Sequence, residues 1–108
     1  MAKAIFVQKG NNIDYTPNSA VEYMEIIPLE DCVGVALEAI AANETGTVTL
    51  TGVFEFPAAT GTAVKVGEKV YWDSTNSVIT TTASGNTLAG YAISAKASAD
   101  ATVKVRIG

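Results

Sequence analysis

An all-β fold, a compact small barrel or sandwich with little helix, is what three features of this sequence predict. Val, Ile, Thr, Tyr and Phe recur in short runs, and clusters of Gly, Pro, Asn and Asp punctuate them. The third feature is a β unit that occurs twice. Ala20-Val21-Glu22-Tyr23-Met24-Glu25-Ile26-Ile27 returns as Ala63-Val64-Lys65-Val66-Gly67-Glu68-Lys69-Val70. Gly34-Val35-Ala36-Leu37-Glu38-Ala39-Ile40-Ala41 returns as Gly90-Tyr91-Ala92-Ile93-Ser94-Ala95-Lys96-Ala97. Each second echo leads through an acidic turn residue, Glu44 or Asp100, into a Thr-Val strand. The shared positions are apolar, glycine or turn-acidic, residues that fold a β unit and perform no chemistry. The expected organisation is one domain over 1–108, with an N-terminal hairpin or arm at 1–19 and quasi-repeats at 20–57 and 63–107. Residues 74–86 are extra length in the second copy.

Taken in order, residues 4–8 (AIFVQ) predict a first strand, ended by the turn cluster Lys9-Gly10-Asn11-Asn12. Residues 13–16 pair with it as a hairpin. Ser19 and Glu22 have the spacing of a helix capping box, but Ile26-Ile27 and Pro28 leave room for barely one turn. Strands follow at 25–29 and 32–37, the second bent or bulged at Gly34. Residues 38–43 form a short helical turn or a plain bridge. The longest strand is expected at 47–56, where Val48, Leu50, Gly52, Phe54 and Phe56 alternate with Thr47, Thr49, Thr51, Val53 and Glu55. Pro57 stops it. Residues 67–73 and 78–82 make a hairpin around Ser74-Thr75-Asn76-Ser77, and strands at 88–95 and 102–107 complete the chain.

Composition narrows the function classes. The chain is 48% hydrophobic and 17% charged, which is globular, but much of the apolar share is alanine and aromatics are only 7%. Such a core buries little area per residue, so association between copies is expected to supplement it. The net charge is −4 and the seven basic residues are scattered, the opposite of the clustered Lys/Arg that phosphate contacts need. No direct nucleic-acid partner is expected. No apolar run approaches the ~20 residues of a membrane span, and no signal peptide is evident. A lone Cys32 fits a reducing cytoplasm.

The usual catalytic parts are missing. Without histidine the chain lacks the commonest general base and metal ligand at neutral pH. Glu30-Asp31 beside Cys32 reads as a turn, because adjacent strand residues face opposite ways and no base can be named for the thiol. The run from Gly61 to Lys69 invites comparison with a phosphate-binding loop and fails it. Its glycines are one residue too far apart, and Glu68 stands where lysine is required. Asn43-Glu44-Thr45 matches a glycosylation acceptor but reads as a turn. Catalytic residues, metals and cofactors are all expected to be none. Tyr71 and Trp72 are neighbours in a strand, so one faces the core and the other faces out. They suit core or subunit packing first. With Tyr91, they form the basis of an alternative reading, a glycan-binding adhesion module.

Several blocks carry a resemblance along essentially the whole chain. Met1-Ala2-Lys3-Ala4-Ile5-Phe6-Val7-Gln8-Lys9-Gly10-Asn11-Asn12-Ile13-Asp14-Tyr15-Thr16 resembles the opening of small phage and prophage head-decoration proteins, also called capsid cement proteins. Val33-Gly34-Val35-Ala36, Gly46-Thr47-Val48, Gly52-Val53-Phe54-Glu55-Phe56-Pro57, Gly67-Glu68-Lys69-Val70-Tyr71-Trp72-Asp73 and Leu88-Ala89-Gly90-Tyr91-Ala92 are similar too, in the same order. Glu22-Tyr23-Met24-Glu25 departs from the family's small, glycine-containing turn. The family's occasional recombinase-like label finds no support in the failed phosphate loop. The resemblance implies a non-enzymatic protein, made in the bacterial host cytoplasm, that sits on the capsid exterior of the virion. It further implies a homotrimer that binds the major capsid protein and reinforces the head against DNA pressure. Ala2, Ile5, Phe6 and Val7 near the N-terminus, and Tyr71 and Trp72 in the aromatic strand, are the candidate contacts with capsid and with other copies.

Overall fold

A computed structural model describes residues 2–108. Nine strands form two antiparallel sheets, with no helix among the described residues. The first sheet contains β1 (Asn12–Tyr15), β2 (Ile26–Pro28), β3 (Val33–Ala36) and β4 (Gly46–Thr49), in the order β1-β4-β3-β2. The second contains β5 (Gly52–Pro57), β6 (Lys69–Asp73), β7 (Val78–Thr80), β8 (Thr87–Ala92) and β9 (Thr102–Ile107), in the order β5-β9-β8-β6-β7. The architecture is a sandwich rather than a closed barrel. Curvature brings Ala58, just past β5, into a single parallel bridge with Ile79 of β7, and closure goes no further.

The two sheet orders correspond element by element: β1 with β5, β2 with β6, β3 with β8, β4 with β9, and β7 as the addition. Backbone hydrogen bonds repeat with them. Val21 and Ile40 exchange N–H···O bonds of 2.8 Å, and Val64 and Lys96 exchange bonds of 3.0 and 2.9 Å. Met24 N–H donates to Ala36 O as Gly67 N–H donates to Ala92 O. The Glu25 and Glu68 carboxylates accept the N–H of Glu22 and Lys65, each at 3.0 Å. Both turns need a left-handed residue, Met24 at φ 66° and Gly67 at φ 84°. The departure at Met24 therefore keeps the turn at the cost of a side chain in a conformation that suits glycine. At the bridge, Ile40 of one half is replaced by Lys96, which is 3% exposed and donates from Nζ to the Thr62 and Ala97 carbonyls.

Burial explains the strands. The main core lies between the sheets and holds Val33, Val35, Phe56, Val70, Trp72, Ile79, Val103, Val105 and Ile107. A smaller cluster of Val21, Ile27, Ala36, Ile40 and Val48 covers the other face of the first sheet, which is why β3 is buried on both sides. β9 alternates exposed and buried throughout, so its register is set by the buried Val103, Val105 and Ile107.

Several expectations are corrected. Residues 4–8 form no strand, and no hairpin joins them to β1, which instead pairs with β4 (Ile13 opposite Val48). The apolar run Ile5-Phe6-Val7 lacks a polar face, and burial through β4 outcompetes a local hairpin. The strand expected at 47–56 is two, divided between the sheets. Gly52 turns the chain at φ 131°, while the Thr49 hydroxyl lies within donating distance of both the Asn11 and Thr51 carbonyls at the break. Gly34 is no bulge: β2 and β3 pair in register through it, and a methyl group there would overlap Val48. The register shift lies at Val70/Tyr71 in β6. Of the two alternatives for residues 38–43, the plain bridge is found, pinned by Ile40.

The hairpin of β6 and β7 turns where expected. The Asp73 carboxylate accepts the Thr75 N–H (2.9 Å), the Asn76 N–H (3.2 Å) and the Asn76 side-chain amide (2.8 Å). The Asn76 side-chain bond, helped by the Asn76 and Thr75 backbone N–H groups, holds this carboxyl below the usual carboxylate range.

Three outcomes follow from these contacts. Gly90 has φ 155°, and a Cβ there would run into the Arg106 carbonyl on β9. Gly90→Ala should cost more than about 3 kcal/mol in urea unfolding, whereas Met24→Gly should leave stability unchanged or raise it by up to about 1 kcal/mol. Asp73 has a lowered folded-state pKa, so its stabilisation is complete above the unfolded carboxylate value of about 4 and is lost as pH falls through the folded value. The gap in urea midpoint between the parent and Asp73→Ala should therefore be present at neutral pH and vanish near about pH 2.

Candidate functional site

Residues 2–11 leave the first sheet at β1 as an arm without regular secondary structure. The sequence supplies apolar side chains here but no fold partner. Ile5 is 86% exposed, Phe6 83% and Val7 83%, and Ala2 is exposed as well. These are the least buried large apolar side chains among the described residues, and they are consecutive. At the arm's base, the Gln8 amide donates to the Asn12 carbonyl at 3.3 Å.

The aromatic strand β6 divides its two rings as strand alternation requires. Trp72 points inward at 7% exposure and meets Phe56 edge-on, with ring centroids 6.2 Å apart and planes at 63°. Tyr71 points the other way, beside Thr80 of β7 and Leu88 of β8, and is half-buried. The structure does not bring Tyr71 and Trp72 together with the arm residues as one site. Arm and aromatic strand belong to different sheets. With its indole in the core, Trp72 offers no flat face for a sugar to stack on.

Two features escaped sequence reasoning. One is a groove where β2 and β5, edge strands of the two sheets, approach each other. Met24, Ile26, Val35, Phe54, Phe56 and Pro57 line one hollow of about 350 Å³. It adjoins a second of about 510 Å³ that shares Met24, Ile26 and Pro57 and reaches Trp72. Nothing local in the sequence announces a groove that two distant strands create. The other feature was readable: no Lys or Arg occurs between Gly10 and Val64. The first sheet and its loops carry Asp14, Glu22, Glu25, Glu30, Asp31, Glu38 and Glu44 without a single base. In contrast, Lys69, Lys104 and Arg106 stand on the exposed side of the second sheet. There Arg106 lies between Val53 and Tyr91, and Tyr91 is opposite Lys69.

Cys32 is exposed at the turn between β2 and β3, beside the exposed Glu30 and Asp31. No three His, Cys, Asp or Glu side chains converge as a metal site among the described residues. No helix among them is long and apolar enough to cross a membrane. What the surface offers is adhesion: an apolar arm, an apolar groove and segregated charge.

No curated protein and no solved structure matches the chain. A family model does, and it spans both sheets and the end of the arm. Its description is phage cement protein, and it matches residues 7–107. The chain belongs to the phage cement proteins, a structural family of the phage capsid, and its role is capsid decoration.

Proposed function

We propose that this protein binds the major capsid protein on the outside of the phage head as a homotrimer, and that it reinforces the shell without any catalytic step. The observation that carries this reading is the arm, three consecutive large apolar residues each more than four-fifths exposed. An isolated chain gains nothing from holding Ile5, Phe6 and Val7 in water, whereas an assembled one gains their burial, at roughly 25 cal/mol per Å². Tyr71 and the strand around it supply a second contact on the other sheet. Packed DNA presses outward on a filled head, so neighbouring shell subunits need to be tied across their junctions. A trimer joins them through several modest contacts, and linked contacts gain avidity without any one being strong.

The glycan-binding alternative has less support from the geometry. Trp72 is buried against Phe56, which leaves Tyr91, 48% exposed between Arg106 and Lys69, as the accessible aromatic of that set.

Reinforcement is tested by heating undecorated heads with and without saturating purified protein and following DNA release. Decorated heads should rupture at a higher temperature and survive lower salt. Identical rupture curves at saturation would refute it. Tyr91→Ala should leave the decorated curve unchanged, while a glycan-adhesion role would show as loss of glycan-array binding in that variant.

A further inference from the structure

Two unpartnered apolar surfaces lie at opposite edges of one sheet. The arm enters β1, one edge of the four-stranded sheet, and the groove borders β2, the other edge. Across the groove, β5 is an edge strand of the second sheet. Ala58 N–H donates to Ala101 O on the β9 side, and Ala59 N–H donates to Ile79 O on the opposite side. Strand alternation therefore aims the backbone groups of Val53 and Glu55 at the free edge, open to an added strand. Pro28 and Pro57 end the two edge strands, which limits pairing to a short segment.

The arm has the complementary pattern. In an extended chain Lys3, Ile5, Val7 and Lys9 share one face. Two apolar side chains are thus flanked by two positive charges. The groove has an apolar floor of Met24, Ile26 and Phe54, with Glu25 on its lining, while the Glu55 side chain stands on the outer face opposite Lys104. The arm leaves its sheet at the edge opposite its own groove, so a second copy docked against that edge would present its groove to the arm directly.

We propose that the arm of one copy adds as a strand along β5 of a neighbouring copy, with Ile5 and Val7 in the groove and the arm's lysines toward Glu25 and the acidic, base-free first sheet. The inference rests on the self-association read above and specifies its contact. Donor and acceptor are different surfaces, so the joint is head-to-tail. Such joints close into rings when the rotation between copies closes, and a three-membered ring meets the three-fold symmetry of a trimer.

Sedimentation of the protein alone tests this without any capsid present. The wild-type chain should sediment as a closed oligomer. Ile5→Asp/Val7→Asp should weaken association at least about thirty-fold, and Met24→Gly, which relieves the backbone at φ 66°, should weaken it while remaining folded. A proximity test accompanies it in a Cys32→Ser background. Protein carrying Val7→Cys, mixed with protein carrying Met24→Cys, should form mixed disulfides well ahead of a mixture with exposed Ala83→Cys. A monomeric wild type, association unaffected by the double variant, or no preference for Met24→Cys would each overturn the proposal. An oligomer that forms this way yet fails to protect heads would leave the arm contact standing and refute only the reinforcing role.

Discussion

Phe56 and Trp72 come from β5 and β6, which are separated in their sheet by two other strands. Their edge-on contact at 6.2 Å can form only if that sheet curls. The curl brings Ala58 against Ile79 and encloses the small valines and alanines that dominate this core. Val33, Val35 and Ile26 of the first sheet then cover the open side. In a chain with few large side chains, one aromatic pair shapes the sheet and the aliphatics fill around it. The curl stops at a single bridge, so β5 keeps a free edge, and the groove beside β2 is the space left by incomplete closure.

The doubling of the unit explains which positions are free to vary. The recurring bonds are backbone bonds at Val21, Met24 and Ala36 and at Val64, Gly67 and Ala92, with the Glu25 and Glu68 carboxylates as the recurring side-chain acceptors. They fix the turn and the bridge and leave the other side chains to diverge. One half places Ile40 in the bridge and the other places Lys96, whose Nζ reaches two carbonyls that an isoleucine could not bond. One half carries no base at all, while the other sets Lys69, Lys104 and Arg106 on its exposed side. Two copies of one scaffold thus present an acidic surface and a mixed-charge one, an arrangement suited to joining unlike patches.

Much of the second half was legible from local pattern. β9 alternates cleanly over Thr102–Ile107, and the turn after Asp73 has the residues that such a turn uses. The first half was harder because its pairings are long-range. β1 finds β4 rather than the nearby arm, and the alternation from Val48 to Phe56 continues unbroken across the point where the chain changes sheets. Only Gly52 marks that break, and a glycine within an alternating run reads equally well as strand. Of the candidate contacts, the exposure of Ile5, Phe6 and Val7 follows from the arm's lack of a fold partner, and strand alternation showed that one of Tyr71 and Trp72 is inward without showing that it is Trp72. The groove was hidden because Met24 reads as turn and Phe54 as core until both sheets are in place. The resemblance to the cement proteins, by contrast, rests on many modest blocks in order and on no single motif.

Binding of the purified protein to undecorated phage heads, measured by co-sedimentation over a range of protein concentrations, tests the central claim most directly. Adhesion to the shell predicts saturable uptake, with a plateau at a fixed number of copies per head in multiples of three. Uptake that fails to saturate, or none at all, would contradict it.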